Sequence, residues 1–309
     1  MNYPLKVSFV VLNWNKWHET VECLESIFIS DYPTFEVIVV DNGSTNDSVK
    51  ELRSRFKSII VIETGDNLGF AGGCNVGIEC ALKNNSDYIF LLNNDAIIEK
   101  GALTDMINLA NSDTKIGIVS PKIYFFNNSL SMPKIWYGGA NLNLKLGRTS
   151  MAGYKKFETG QFDATRVVNF VSGCAMLVRS EVIRNVGMFD IEFFNIFEDA
   201  DFCTRVSTKG YKLVYYPSAV VHHKESASFG TLYSPFSVYF QVRNRLLFIK
   251  KHVNKSFIPL AFTAAIISFL KRGIICLANK EFKSLLAINL GFFDYFSKQF
   301  GKGSSYRFN

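Results

Sequence analysis

The feature that most constrains this chain is an alternation near its start between short apolar runs and amphipathic stretches. Val7–Leu12, Glu36–Val40 and Ile59–Glu63 read as buried strands, too short for helices of their own. Between the first two, Trp17, Val21, Leu24 and Phe28 recur at helical spacing, with Glu19, Glu22 and Glu25 elsewhere. Ser44 or Thr45 can cap a second helix running to Phe56. Strand, helix, strand, helix, strand in this order predicts a parallel sheet with right-handed crossovers.

A fourth run, Tyr88–Leu92, stops abruptly at Asn93-Asn94-Asp95. The first two runs stop in the same manner, at Asn13-Trp14-Asn15 and Asp41-Asn42-Gly43-Ser44. In open α/β sheets ligands bind outside the carboxyl ends of the strands, so these polar groups sit where a ligand would be. A carboxylate such as Asp95, beside a cleft that can hold phosphates, suits Mg²⁺ or Mn²⁺. Asn-Asn-Asp is also good turn chemistry, and the stretch alone favours neither reading. Asn67–Gly77 is glycine-rich but lacks Gly-x-Gly-x-x-Gly spacing and follows the third strand, which argues against a dinucleotide site. Its small residues could still let a ligand approach backbone amides at a helix N-terminus.

The alternation continues through a helix near Leu103–Ala110 and a strand at Ile116–Ser120. Residues 122–166 break it and read as an irregular insertion, on the acceptor side or as a lid. Strands resume at Val167–Phe170 and Ala175–Arg179, followed by a short helix over Ser180–Val186. Glu198, Asp199 and Asp201 cluster where another helix begins, and acids favour a helix N-terminus in any case. Strands at Leu213–Tyr216 and Ala219–Val221 follow, the second ending on His222-His223. Strand alternation lets only one of that pair face a given cleft.

Charge separates the tail from the body. From Arg243 onward there are 12 Lys/Arg against 2 Asp/Glu; before it, 22 against 25. The basic residues interleave with apolar runs, which fits an anionic membrane surface better than nucleic acid. Phe257–Leu270 is broken by Pro259, Thr263 and Ser268, and Lys271-Arg272 follow. The expectation is helices lying in the membrane interface, with packing on the body or on a second subunit as the rival. The six cysteines show no metal-knuckle spacing and read as free thiols in a reducing compartment. The N-terminus carries no signal-peptide pattern, giving an expected location in the cytoplasm, peripheral on the inner face of the plasma membrane.

Taken in order, Val11–Asn15, Val39–Ser44, Asn67–Gly77, Leu91–Asp95, Ser172–Leu177, Gly187–Asp190, Phe197–Asp201 and Val221–His223 resemble the motifs of the family 2 glycosyltransferases, within their rhamnosyltransferase-like branch. The resemblance implies a GT-A fold: an α/β architecture with a mostly parallel, Rossmann-like central sheet flanked by helices, here with a helical C-terminal tail. It implies a catalytic domain over residues 1–245, with a nucleotide-sugar half (1–120) and an acceptor half (121–245), and a tail over 246–309. The implied activity is metal-dependent inverting transfer of a hexose, rhamnose within this branch, from a dTDP- or UDP-sugar to a hydroxyl of a cell-surface polysaccharide or lipid-linked glycan.

By the same resemblance, Asp41 meets the base, and Asn13, Asn67, Asn75, Asn93 and Asn94 contact the nucleotide-sugar. Asp95 and His222 hold Mg²⁺ or Mn²⁺, with His223 as the alternative to His222. Asp199 is the general base, with Glu198 beside it. The family's metal motif is often Asp-x-Asp, and Asn93 replaces its first acid. Arg243-Asn244-Arg245 could clamp a diphosphate, although a surface basic helix is the simpler expectation. A sugar nucleotidyltransferase is the rival enzyme, yet Asn13-Trp14-Asn15 is not its glycine-rich phosphate loop; a non-catalytic nucleotide-sugar-binding protein at the membrane surface is the other rival. The expected partners are the nucleotide-sugar, the glycan acceptor, an anionic membrane and a second copy through the C-terminal helices, but no nucleic acid.

Overall fold

The structure, a computed structural model, describes residues 5–126, 132–225 and 234–308. The chain begins β1 (Val7–Asn13), α1 (Trp17–Phe28), β2 (Phe35–Asp41), α2 (Ser48–Arg55), β3 (Ile60–Glu63), α3 (Gly69–Lys83) and β4 (Tyr88–Asn93). These four strands lie parallel in the order β3-β2-β1-β4. The apolar runs of β1, β2 and β4 are buried in one core because helices cover the sheet, and edge strand β3 is half-buried against it.

The second half is mixed. After β5 (Ala96–Ile98), α4 (Ala102–Ser112) leads into the long β6 (Ile116–Phe125). β7 (Ile135–Tyr137) pairs with β6, β8 (Ala140–Asn143) and β9 (Arg148–Met151) form a separate hairpin, and β10 (Arg166–Val168) closes one sheet edge. β11 (Ala175–Arg179) runs antiparallel between β4 and β6, so it joins the two halves into one sheet. α5 (Ser180–Val186) and α6 (Glu198–Thr208) precede β12 (Lys212–His223), which is parallel to β6. The region expected to be irregular holds the short strands β7, β8 and β9 but is turns and bends over residues 152–165; residues 127–131 lie outside the described residues. The two short strands expected at Leu213–Tyr216 and Ala219–Val221 are one strand, bulged between Tyr216 and Val220.

The glycines of α3 serve packing. A Cβ on Gly77 would meet Val10 Cγ1 at 2.3 Å and one on Gly73 would meet Leu12 Cδ1 at 2.4 Å, so α3 lies directly on β1. Gly69 has φ +73°, and a Cβ there would strike the Phe194 carbonyl at 2.4 Å.

The chain ends in α7 (Pro235–His252), α8 (Ile258–Ala278) and α9 (Phe282–Phe296), which pack together around a second apolar cluster. α7 is buried along almost its whole length and also contributes Leu247 and Phe248 to the main core. The division expected after residue 245 falls inside this helix. Pro259 starts α8 rather than breaking it, because its missing N–H and fixed φ suit the first helical turn. α8 is thus continuous for 21 residues, about 31 Å. Among the described residues, Lys255–Ala278 is the one helical stretch long and apolar enough, by length and composition, to cross a membrane.

Candidate active site

Register places Asn13 beside Asp41 and Leu12 beside Asn93, so three polar residues end three adjacent parallel strands. Beneath them lies a buried polar network. Asn13 Nδ2 donates to Asp41 Oδ1 at 2.7 Å, and Ser44 donates to both Asp41 oxygens through Oγ (2.6 Å) and N (3.0 Å). Thr20 Oγ1 donates to Asn13 Oδ1 at 2.8 Å, and Asn94 Nδ2 reaches Thr20 Oγ1 at 3.0 Å. Asn13, Asp41 and Asn94 therefore hold one another and the α1 start in place. A carboxylate accepts about four hydrogen bonds, so Asp41 keeps capacity for a ligand donor.

Two candidates are spent on the backbone. Asn67 Oδ1 accepts from Gly69 N (2.9 Å) and Asn42 Nδ2 (3.2 Å), shaping the turn into α3. Asn75 donates to the Phe189 carbonyl at 2.8 Å and accepts from Phe189 N at 3.0 Å. The expected nucleotide contact at Asn75 is thus replaced by a two-point clamp between α3 and the 187–190 turn.

Asp95 follows β4, and β12 ends against it. His223 Nε2 lies 3.0 Å from Asp95 Oδ1, and both side chains are buried. His222 turns to the other side of the strand, where Nε2 meets Glu99 Oε1 at 2.7 Å. The expectation that His222 joins Asp95 fails, and the adjacent residue takes its place. The Trp136 ring meets the His223 ring edge-on at 4.6 Å, and Cys174 contacts the same imidazole. Burial opposes a charge on His223, but Cys174 and Asp95 outweigh it and hold its pKa well above the ordinary value.

Among the described residues no group of three or more His, Cys, Asp or Glu could hold a metal ion by itself. A carboxylate and an imidazole are both possible ligands, and His223 could serve as one only after giving up the Nε2 proton it shares with Asp95. The remaining positions would fall to water and diphosphate oxygens.

A cavity of about 340 Å³ lies next to this pair, separated from His223 by Trp136 and Cys174; neither Asp95 nor His223 lines it. Asn93, Cys174 and Trp136 line one part of it, Glu198 and Asp199 another. Trp136 belongs to β7, and Thr149 and Met151 of β9 also line it, so the expected insertion supplies a wall.

The two carboxyls differ in environment. Asp199 is held by Gly173 N (3.2 Å) and by its neighbour's Ala200 N (2.8 Å). Burial still pushes its pKa up to about 6, against those amides. Glu198 is buried, its Oε2 has no partner, and burial together with the charge of Asp199 drives its pKa well above the usual carboxylate range. Asp199 is poised to accept a proton near neutrality, and burial beside it makes Glu198 the harder of the two to ionise. Asp201 is different again. It is buried between Arg205 Nε (2.8 Å) and His252 Nε2 (2.6 Å), which hold its pKa down despite burial.

The segment that presents these acids is strained. Phe194, Ile196 and Phe197 have φ of +60°, +68° and +78°, unusual for bulky residues. What holds it is the Arg243-Asn244 pair on α7. Asn244 Nδ2 lies 2.7 Å from the carbonyls of Phe193, Asn195 and Ile196. Arg243 Nη2 donates to the carbonyls of Glu192 (3.0 Å) and Phe193 (3.1 Å). Arg243 is fully buried, neither a diphosphate clamp nor part of a surface helix. This support was not visible in sequence beyond the oddity of three polar residues inside an apolar helix.

The mixed sheet with a strand-end site is the GT-A arrangement of nucleotide-sugar glycosyltransferases. Two solved structures share the fold: GalNAc-T7 with UDP, GalNAc and Mn²⁺ (TM-score 0.58, 16% identity, 71% of this chain and 43% of that one), and residues 1–349 of S. aureus TarS (TM-score 0.54, 17% identity, 85% and 71%). The glycosyl transferase family 2 model matches residues 8–187, and the chain belongs to that family. It is therefore a glycosyltransferase. Among curated relatives it is 26% identical over 220 residues to the N-acetylglucosaminyl-diphospho-decaprenol L-rhamnosyltransferase of Mycobacterium tuberculosis, covering 65% of this chain and 70% of that protein. It is 23% identical over 260 residues to the low-salt glycan biosynthesis hexosyltransferase Agl10 of Haloferax volcanii (83% and 80%). It is 26% identical over 218 residues to the poly-β-1,6-N-acetyl-D-glucosamine synthase of Staphylococcus aureus, of which it spans less than half (69% and 48%).

Proposed function

We propose that the enzyme moves a hexose, with rhamnose as the first candidate, from a dTDP- or UDP-sugar to a hydroxyl of a lipid-linked glycan or polysaccharide, with inversion. The observation that carries the reading is one cavity reaching from the Asp95–His223 neighbourhood to Asp199. The nucleotide-sugar lies in the half up to residue 120, over Asp41 and Asn93, and the acceptor in residues 121–245. Asp199 accepts the acceptor's hydroxyl proton as that oxygen attacks the anomeric carbon and the bond to the diphosphate breaks. Glu198, beside it, hydrogen-bonds a hydroxyl of the incoming sugar. Asp95 and His223, the latter deprotonated, would hold a divalent ion, Mg²⁺ or Mn²⁺, which would supply charge neutralisation at the diphosphate. The names of the mycobacterial and archaeal relatives support a hexose and a lipid-linked acceptor.

The test is a thermal-shift screen of dTDP- and UDP-sugars with and without Mn²⁺. A ligand at a hundred times its Kd stabilises by about 2.7 kcal/mol. His223→Ala is expected to abolish the Mn²⁺-dependent part of the shift, and His222→Ala to leave it. The reverse pattern, or a shift indifferent to Mn²⁺, would overturn the metal assignment. No shift with any nucleotide would favour a non-catalytic protein.

The tail reads as a membrane-surface attachment. α8 turns Ala261, Ala265 and Phe269 inward and leaves Leu270 (63% exposed) and Ile274 (68%) outside. Lys271 and Arg272 sit inside the helix, and each charge at a bilayer centre costs about 2.5–3.5 kcal/mol, so the helix lies in the interface. Leu270→Asp with Ile274→Asp is expected to lose co-sedimentation with vesicles containing anionic lipid while keeping the folded Tm. An altered oligomeric state with vesicle binding unchanged would make this face a contact between copies instead.

A further inference from the structure

A second cavity, of about 360 Å³, lies beyond the segment that presents the two acids. Thr149, Ile196 and Phe197 line both cavities, so the two are neighbours across Phe197. Its charged lining is cationic: Arg148 from β9, Arg245 from α7 and Arg272 from α8, with no Asp or Glu, beside the neutral Thr149, Gln241 and Ser268. Arg245 is 8% exposed, and its guanidinium donates to the carbonyls of Gly147 (3.1 Å) and Leu146 (3.2 Å) rather than to any carboxylate. Arg272 donates to Gln241 Oε1 at 2.5 Å. Arg148 is exposed and makes no hydrogen bond or ion pair with a described residue. Burial and the nearby charge of Arg148 lower the pKa of Arg245, as expected for like charges held together.

Three guanidinium groups from three elements, one of them buried, line one cavity, a set that can hold an anion. Guanidinium forks match phosphate oxygens bidentately. The nucleotide's own diphosphate belongs elsewhere, at the strand ends beside Asp41 and Asp95. The Arg cavity instead borders α8, whose exposed apolar residues continue outward from Phe269 through Leu270 and Ile274. The geometry points to a site for the phosphate or diphosphate of an amphiphilic acceptor, with its apolar chain along α8 and its sugar across Phe197 beside Asp199. This rests on the lipid-linked acceptor proposed above and adds where its charged linker sits.

The test uses farnesyl diphosphate, farnesol and inorganic pyrophosphate as probes, titrated calorimetrically into the full chain saturated with UDP and Mn²⁺ to occupy the donor site. Farnesyl diphosphate is expected to bind at least tenfold more tightly than farnesol. Arg148→Glu, and separately Arg272→Gln, are expected to weaken it at least tenfold without changing UDP affinity. Binding unaffected by both variants would overturn the site. So would a tenfold loss that appears equally with phosphatidylglycerol vesicles, because the arginines would then read bilayer headgroups. Pyrophosphate binding as tightly as farnesyl diphosphate would remove the amphiphile from the assignment. Absence of nucleotide-sugar turnover alongside intact, arginine-dependent farnesyl diphosphate binding would sink the donor reading and leave this site standing.

Discussion

Asp199→Asn is expected to lower kcat by about 10²–10⁴-fold, the range a positioned general base contributes, while nucleotide-sugar binding survives. The amide is nearly isosteric with the carboxylate but cannot take the hydroxyl proton. Wild-type kcat/KM is expected to fall in proportion to proton concentration below about pH 6, where the buried Asp199 becomes protonated, and to level off above it. Stability carries the opposite sign. The pKa is raised from 3.8 to about 6 on folding, so Asp199 supports the fold while protonated. That contribution is whole below the unfolded pKa and is lost as pH rises through about 6. The Tm of Asp199→Asn minus that of wild type is therefore expected to grow between these limits. Unchanged turnover in the variant, or a pH limb that persists in its residual activity, would move the base to Glu198 or elsewhere.

Arg243→Met is expected to cost about 3–5 kcal/mol, the usual penalty for removing one side of a buried charge arrangement. Arg243 Nη1 donates to the Gly301 carbonyl (2.6 Å) and the Tyr239 hydroxyl (3.3 Å), and that hydroxyl donates to the fully buried Asp294. Losing the guanidinium removes a buried positive charge that faces Asp294, which Tyr239 and Ser304 still hydrogen-bond, takes the donor from the Gly301 carbonyl and removes one of two donors from the Glu192 carbonyl and one from the Phe193 carbonyl. Typical domains have only about 5–15 kcal/mol of stability, so urea unfolding would register the change at once. Adding Asp294→Asn is expected to recover part of the loss, since the carboxylate charge that faced Arg243 goes with it. A cost under about 1 kcal/mol would mean that other groups compensate for Arg243. At temperatures where the variant stays folded, kcat is expected to drop as well, because Arg243 and Asn244 hold the strained 193–197 backbone that aims Asp199.

Much of the first half was legible in the residues. Each apolar run of the opening alternation lies in a strand, and each polar stop lies at a strand's carboxyl end. The glycines of 69–77 were visible as a feature, but their purpose was not: whether a missing Cβ admits a ligand or a neighbouring strand depends on what α3 faces. Asn75 could not be told from Asn93, because an amide in a loop-rich sequence does not announce whether a backbone segment distant in sequence will occupy it. The three polar residues of α7 pointed in the wrong direction. A charged triplet near a basic tail suggests solvent or phosphate, and only the packing of α7 through the centre of the chain buries it.

Local periodicity determined the parallel half and the line of polar residues at its strand ends, because burial on alternate faces and abrupt polar stops are properties of neighbouring residues; the part given to Asp199 and Glu198 came from the resemblance alone. The choice between His222 and His223 belonged to tertiary structure. Alternation dictates that one of them faces Asp95, but the bulge between Tyr216 and Val220 resets the phase of β12, and with it which imidazole arrives.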